Sequence, residues 1–321
     1  MAYRLFWTVA CALLGVGNAF SQAGYPEKSI RIIVAYPSGG APDFVARLLG
    51  QKFSEAWGKP VVIDNLPGAS GSIGADRVAK AVPDGYTLGF LAIPEVAINP
   101  SLFKLAYDPL KDFSPVSQVT RGGNILVVNN ALPAKTLQEL VKLAKARPGE
   151  ITFASSGTGT TPHLSGELFK SAAGIDIQHV PYKGVVMAIP DLVAGRVAMA
   201  FTLPNFALPM VRDGKLRALA VTTLKRYEVI PQVPTIAESG YPGFEVVAWQ
   251  GLVAPAGTPA AIVSKLHLET VKALESDMRA KLADAGSEAV GSKSPAEFAA
   301  LIKSEVPRWA KVIKDAGIKV D

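Results

Sequence analysis

The sequence holds one cysteine, Cys11, and three histidines, His163, His179 and His267. Cys11 lies inside an N-terminal apolar run, so removal of that run leaves no thiol. Disulfides, thiolate metal sites and a cysteine nucleophile are then excluded together. The histidines are scattered without ligand spacing, so no metal site and no cofactor are expected. Long apolar runs are also scarce. The stretch Leu5 to Val16 falls short of the roughly 20 residues that a bilayer crossing needs, and no later segment of that length is free of charges or Pro and Gly breaks. Excess charge is modest, with a formal +6 spread over both halves. No basic block interleaves with aromatics, which argues against nucleic acid as a partner. A mild positive field suits either an anionic small ligand or an ordinary solvated surface.

What is present begins with the layout of a secretory signal over residues 1–23: Arg4, the apolar run, then Asn18-Ala19-Phe20-Ser21-Gln22-Ala23. A cleaved signal peptide implies export, a periplasmic location and a soluble mature chain. The Thr8-Val9-Ala10-Cys11 stretch sits too early for lipid attachment. The remaining chain, about 300 residues, suffices for two domains with buried cores and hence for a cleft.

Strand-like runs alternate with helical periodicity. Strands are expected at Ser29 to Tyr36, Val61 to Asp64, Tyr86 to Ile93, Ile125 to Asn129, Ile151 to Ser155, Ile175 to Val180, Val197 to Thr202, Leu216 to Thr222 and Phe244 to Val253. Helices are expected at Pro42 to Trp57, Ser72 to Val82, Thr136 to Arg147, Pro162 to Ala173 and Asn205 to Asp213. Within the first, Phe44, Val45, Leu48, Leu49 and Phe53 share one face, as a helix covering a sheet requires. The alternation indicates an α/β fold with largely parallel sheets. After Val253 only helices are expected: Pro259 to Leu274, Asp277 to Ala285 and Pro295 to Ala316. That change implies re-entry into the first lobe. Lobe 1 is assigned residues 24–123 and 245–321, and lobe 2 residues 124–244, with a first crossing near Gly122-Gly123 and a return between Gly243 and Trp249.

Two glycine loops carry the chemistry. Tyr36-Pro37-Ser38-Gly39-Gly40-Ala41-Pro42-Asp43 joins a strand to a helix whose first amides and dipole end favour an anion. Ala154-Ser155-Ser156-Gly157-Thr158-Gly159-Thr160-Thr161-Pro162-His163 repeats the arrangement in the second lobe and adds hydroxyls that can orient a carboxylate. It departs from a dinucleotide fingerprint, because Pro162 holds the third glycine position and no acidic residue follows at ribose spacing. Ligands of open α/β sheets lie beyond the carboxyl ends of the strands, so the two loops are expected to close on one solute.

The chain resembles the substrate-binding proteins of tripartite tricarboxylate transporters, the Bug family. The match runs through Pro37-Ser38-Gly39-Gly40 with Asp43, Asn65-Leu66-Pro67-Gly68-Ala69 with Gly74, Pro83-Asp84-Gly85-Tyr86-Thr87-Leu88, Tyr107-Asp108-Pro109, Ser155-Ser156-Gly157-Thr158-Gly159 with His163, His179-Val180-Pro181-Tyr182-Lys183-Gly184, Gly214-Lys215-Leu216-Arg217-Ala218-Leu219, Val233-Pro234-Thr235 and Pro255-Ala256-Gly257-Thr258-Pro259. The resemblance implies a type II periplasmic binding protein fold with two lobes and a ligand cleft. It implies capture of a small carboxylate, either a dicarboxylate, a tricarboxylate or an aromatic acid, for integral membrane permease subunits. It places Ser38, Gly39, Gly40, Ser156, Thr158, Gly159 and Thr160 as pincers on one ligand carboxylate. Two departures stand out: Ala92-Ile93-Pro94-Glu95 after the third strand is expected to bring an apolar wall and an acid to the cleft, and Val185-Val186-Met187 to narrow or grease the pocket.

Single residues admit two readings each. Asp43 either meets the ligand or holds the first loop through first-turn amides, and His163 either braces the second loop or reaches the ligand. Asp191, placed at the start of a short helix from Pro190 to Ala194, either fixes a ligand hydroxyl or simply favours the helix dipole. Tyr36 and Trp249 either wall the cleft or pack the core. Ser155 joins the second-loop hydroxyls. His179 reads as structural, and His267 and Lys183 as surface residues. A secreted serine hydrolase is disfavoured, because neither Ser70, Ser72 nor Ser156 sits in a Gly-x-Ser-x-Gly elbow. A monomeric binding protein that is not an enzyme is expected, and docking on a membrane sensor kinase stays open as an alternative to a permease.

Overall fold

A computed structural model describes residues 24–315 and 317–318 of the chain. The signal assigned to residues 1–23 lies outside the described residues. Two sheets organise the rest. The first contains β1 (Ile30–Val34), β2 (Val61–Asn65), β3 (Thr87–Ala92), β4 (Phe113–Gly123), β10 (Val247–Pro255) and β11 (Glu288–Ala289), in the order β11-β4-β10-β3-β1-β2. The second contains β5 (Ile125–Asn129), β6 (Ile151–Ser155), β7 (Ile177–Pro181), β8 (Met199–Thr202) and β9 (Leu216–Val221), in the order β7-β6-β8-β5-β9. The helices are α1 (Ala41–Trp57), α2 (Ser72–Ala79), α3 (Leu137–Ala146), α4 (Thr161–Ala173), α5 (Val185–Val193), α6 (Pro204–Arg212), α7 (Ala260–Glu275), α8 (Met278–Asp284) and α9 (Pro295–Asp315).

The first sheet is buried on both faces, which explains why its central strands read as nearly unbroken apolar runs. Ile30, Ile32 and Val34 of β1 point into a core shared with Val45, Leu49 and Phe53 of α1 and Leu266 of α7. Ile33 points the other way, into a core with Val78 of α2 and Phe298 and Trp309 of α9. On α1 the buried face is narrower than the five apolar residues suggest, since Phe44 is exposed at 38% and Leu48 is only partly buried.

Five expectations need correction. The sheets are mixed rather than largely parallel: β1 pairs parallel with β2 and β3, and β6 with β7 and β8, but β10, β4, β11, β5 and β9 are all antiparallel additions. The eleven-residue strand β4 was not foreseen. Its Ser and Gln residues and Pro115 mask it, and the proline is tolerated because a register shift interrupts the ladder where Val253 meets Pro115. The C-terminal segment is not helices only, since β11 pairs with β4. Further, the helix expected at Pro190 to Ala194 runs from Val185 to Val193 and places Asp191 in its last turn. His267 is buried, with Nε2 at 2.8 Å from the Ser292 carbonyl, rather than on the surface. Among the described residues, no helix is long and apolar enough to cross a membrane.

Candidate functional site: two glycine loops and the turn between them

The first loop follows β1 and turns at Gly39, whose φ of 81° is left-handed backbone that a residue with a Cβ resists. Asp43, in the first turn of α1, holds it. One carboxylate oxygen accepts from the Gly39 N–H at 2.8 Å and from Arg47 Nε at 2.9 Å; the other accepts from Asn65 Nδ2 at 3.0 Å and faces Arg47 at 2.9 Å. Asn65 Nδ2 also donates to the Tyr36 carbonyl at 3.0 Å, so the end of β2 ties down both ends of the turn. Burial works to raise the Asp43 carboxyl, but the Arg47, Gly39 and Asn65 donors outweigh it and hold the group below its ordinary value. Asp43 is therefore a charged brace with both oxygens occupied. The Gly40 amide turns back on the Pro37 carbonyl at 3.3 Å. The Ser38 N–H takes no acceptor among the described residues, and Ser38 is exposed.

The second loop, between β6 and α4, is held without charge. The Ser155 hydroxyl lies 2.7 Å from His179 Nε2 and accepts from the Gly157 N–H at 3.1 Å. Thr160 Oγ1 donates to the Gly157 carbonyl at 2.6 Å. The Gly159 N–H donates to His163 Nδ1 at 3.2 Å, which fixes that nitrogen as an acceptor and the ring as neutral. The His163 and His179 rings lie 4.2 Å apart, and Phe153 stacks on His179 at 5.0 Å. Burial, joined by the neighbouring His179, drives His163 down to about 3, and burial drives His179 down to about 4. The hydroxyls of Ser156 and Thr158 stay half-buried and take no partner among the described residues.

Between the loops runs the segment from Gly68 to Ser72, which lacks the last glycine of a hydrolase elbow and whose Gly68 and Ala69 carry part of the family resemblance. Gly68, Ala69, Ser70 and Gly71 have φ values of 126°, 46°, 51° and 86°, four consecutive left-handed residues, two of which pay the Cβ penalty. Ser70 Oγ donates to the Thr158 carbonyl, joining a loop of the first sheet to a loop of the second. Asn99 Nδ2 donates to the Ser70 carbonyl at 2.9 Å and to Ser72 Oγ at 3.0 Å. A Cβ on Gly159 would meet Phe103, Leu102 and Asn99 Oδ1 at 3.2, 3.3 and 3.4 Å, so that glycine is packed directly on this part of the first sheet's lobe.

The structure thus sorts the expected site residues. Tyr36, Ser38, Gly39, Gly40 and Asp43 form one loop, and Ser155, Ser156, Thr158, Gly159, Thr160 and His163 the other. Gly39, Asp43, Ser155, Thr160 and His163 spend their groups on holding the loops, whereas the Ser38 amide and the Ser156 and Thr158 hydroxyls take no partner among the described residues. Asp191 belongs to neither loop: it accepts from Tyr182 Oη at 2.7 Å and pairs with Arg196 at 2.7 Å.

The family model described as the tripartite tricarboxylate transporter family receptor matches residues 45–318 of this sequence. The chain belongs to that family. Protein BugT of Bordetella pertussis is 37% identical over 96% of this chain and 95% of its own length. An R. palustris protein solved with adipate superposes with a TM-score of 0.88 at 39% identity, covering 92% of this chain and 99% of that one. MatC from Rhodopseudomonas palustris, with bound malate, gives 0.84 at 35% identity over 90% of this chain and 100% of its own. This receptor therefore has the two-lobed periplasmic binding protein fold. Its relatives are solute-binding proteins and not enzymes.

The two departures from the family pattern also find their places in this receptor. Ala92, Ile93, Pro94 and Glu95 are all buried, and Glu95 is 0% exposed, so its acid lies beneath the strained turn and not on an open cleft wall. Its Oε2 accepts from the Ala92 N–H at 2.6 Å, while a Cβ on Gly71 would sit 1.9 Å from its Oε1. Burial pushes the Glu95 carboxyl up to about 8. Burial, followed by the nearby Glu95, also raises the Tyr36 phenol well above its usual value. Val185 packs into the core, while Val186 and Met187 are exposed at 52% and 64%. Trp249 is buried and stacks edge-on with Phe298 at 5.4 Å, which is core packing.

Proposed function

We propose that this receptor captures a small carboxylate in the periplasm and presents it to the integral membrane permease subunits of a tripartite tricarboxylate-type transporter. The observation that carries the reading is the pairing of free donors on two braced loops. Among the described residues the Ser38 amide and the Ser156 and Thr158 hydroxyls are left unspent, beside glycine turns held by the Gly39, Gly157 and Gly159 amides and the Thr160 hydroxyl. Neutral donors and helix N-terminal amides favour an anionic headgroup without burying a counter-charge against it, which permits both grip and release. The adipate and malate seen in two relatives fit that chemistry. The lobes, taken as residues 24–123 with 245–321 and residues 124–244, close about the hinge strands when the ligand binds.

A thermal-shift series with adipate, malate, citrate and benzoate tests the reading. A ligand that binds the folded state alone raises the melting temperature with concentration. At least one acid should do so while its diamide or amide does not. Equal response to acid and amide, or no response to any carboxylate, contradicts the proposal.

A further inference from the structure

We propose that Ser70, Asn99 and Glu95 are positioning residues that set ligand affinity from outside the carboxylate cradle, by latching lobe 1 onto the Thr158–Gly159 backbone of the second loop.

Three independent features meet at this place. The first is the cross-lobe hydrogen bond from Ser70 Oγ to the Thr158 carbonyl, between residues 88 apart in sequence. It engages the main chain of the residue whose hydroxyl is free to meet a ligand. The second is the local backbone. Ala69 and Ser70 stand at φ of 46° and 51°, between two glycines that are also left-handed. Such strain persists only where the surroundings over-determine it, and it concentrates at clamps and switches. The third is the support beneath. Glu95 is fully buried, and its carboxyl presses on Gly71 so closely that a Cβ there would lie 1.9 Å from Oε1.

Asn99 is the hub. It is also 0% exposed, its amide nitrogen holds Ser70 and Ser72, and its Oδ1, without a partner among the described residues, would lie 3.4 Å from a Cβ on Gly159. The Tyr107 hydroxyl, donating to the Glu95 carbonyl at 2.7 Å, fixes the short helical turn Pro94–Ile98 that carries Glu95. The path from Glu95 through Gly71 and Ser70 to Thr158 is thus continuous. A contact that forms only when the lobes are together favours closure whether or not ligand is present, and a ligand that needs the closed state binds more tightly in proportion.

The effect on affinity rests on the carboxylate reading, but the latch does not, so the decisive arm uses ligand-free protein. Spin labels at Val82→Cys in lobe 1 and Met187→Cys in lobe 2, both exposed positions, report the interlobe distance in a chain carrying Cys11→Ser. Ser70→Ala and Ser70→Gly should each lower the closed-to-open ratio about threefold to tenfold, the worth of one hydrogen bond, and weaken adipate binding by a similar factor. Glu95→Gln, which keeps the shape and sets a neutral amide in place of the carboxyl, should retain the wild-type distance distribution, whereas Glu95→Ala should shift it toward the open form. Unchanged distances in both Ser70 variants overturn the latch. So does opening in Ser70→Ala alone, which would assign the effect to backbone strain. Wild-type distances in both Glu95 variants remove Glu95 from it, and equal opening in both contradicts its role as a space-filling support. Absence of adipate binding in every protein would contradict the carboxylate reading and leave the distance result to stand by itself.

Discussion

The two glycine loops do the same job by opposite electrostatic means. The first is fixed by a buried carboxylate, Asp43, that is kept ionised by Arg47, Asn65 and the Gly39 amide. The second is fixed by two imidazoles kept neutral by burial, His163 accepting from Gly159 and His179 sharing a hydrogen bond with Ser155. A carboxylate in the first loop costs little toward an incoming anion, because Arg47 neutralises it and every lone pair facing the turn is already used. A protonated histidine in the second loop would attract the anion but would also lose its acceptor role toward Gly159. Loop rigidity, not net charge, is what both solutions share.

Acid should break the symmetry first and most strongly. His163 and His179 have folded-state values below their ordinary 6.5, so their stabilisation is complete above about pH 6.5 and is lost as pH falls toward about 4 and 3. The loss should be on the order of 3 kcal/mol for each histidine by pH 4. Asp43, also lowered, keeps its contribution until the pH falls below its ordinary 3.8. Hydrogen exchange across a pH series should therefore open the Gly157, Gly159 and Thr160 amides before those of Gly39 and Gly40. In His179→Gln, the stability difference from wild type should shrink over the same window. Simultaneous opening of both loops would remove the distinction.

Removing the charged brace comes next. Asp43→Ala leaves the Gly39 amide unpartnered and Arg47 with only Asn65 Oδ1, and should cost about 2 to 3 kcal/mol in denaturant unfolding, the range for hydrogen bonds to a charged group. Asp43→Asn should recover part of that by accepting from Gly39. Third, Ser156→Ala or Thr158→Ala should weaken carboxylate binding by about 1 to 3 kcal/mol in calorimetry with little change in stability, because these hydroxyls hold nothing else. Unchanged affinity in both would sink the hydroxyl argument. The smallest effect is Gly39→Ala. Nothing lies within 4 Å of the new Cβ, so only the left-handed backbone at φ 81° is penalised, by about 1 to 2 kcal/mol.

Much of this was legible in the sequence because local rules and global fold agree there. Strands β5 and β6 begin and end where their apolar runs do, and both loops show themselves as glycine clusters between a strand and a helix. The alternative in which Asp43 and His163 brace their loops followed from their places in the first helical turn. What stayed hidden was non-local. Strand β4 is polar enough to pass for a loop until β10 and β11 flank it. Ala69 and Ser70 carry no signal for left-handed backbone, which only the surrounding packing enforces. Glu95 read as a cleft acid because charge is normally exposed; its burial depends on β3, Tyr107 and Gly71 closing over it.

The most direct test is a crystal structure of the receptor with adipate. The account requires one carboxylate of the ligand within hydrogen-bonding distance of the Ser38 amide on one side and of the Ser156 or Thr158 hydroxyl on the other. Adipate bound instead in the ≈ 680 Å³ groove beside Lys135, Arg217 and Arg226, with both loops empty, would contradict it.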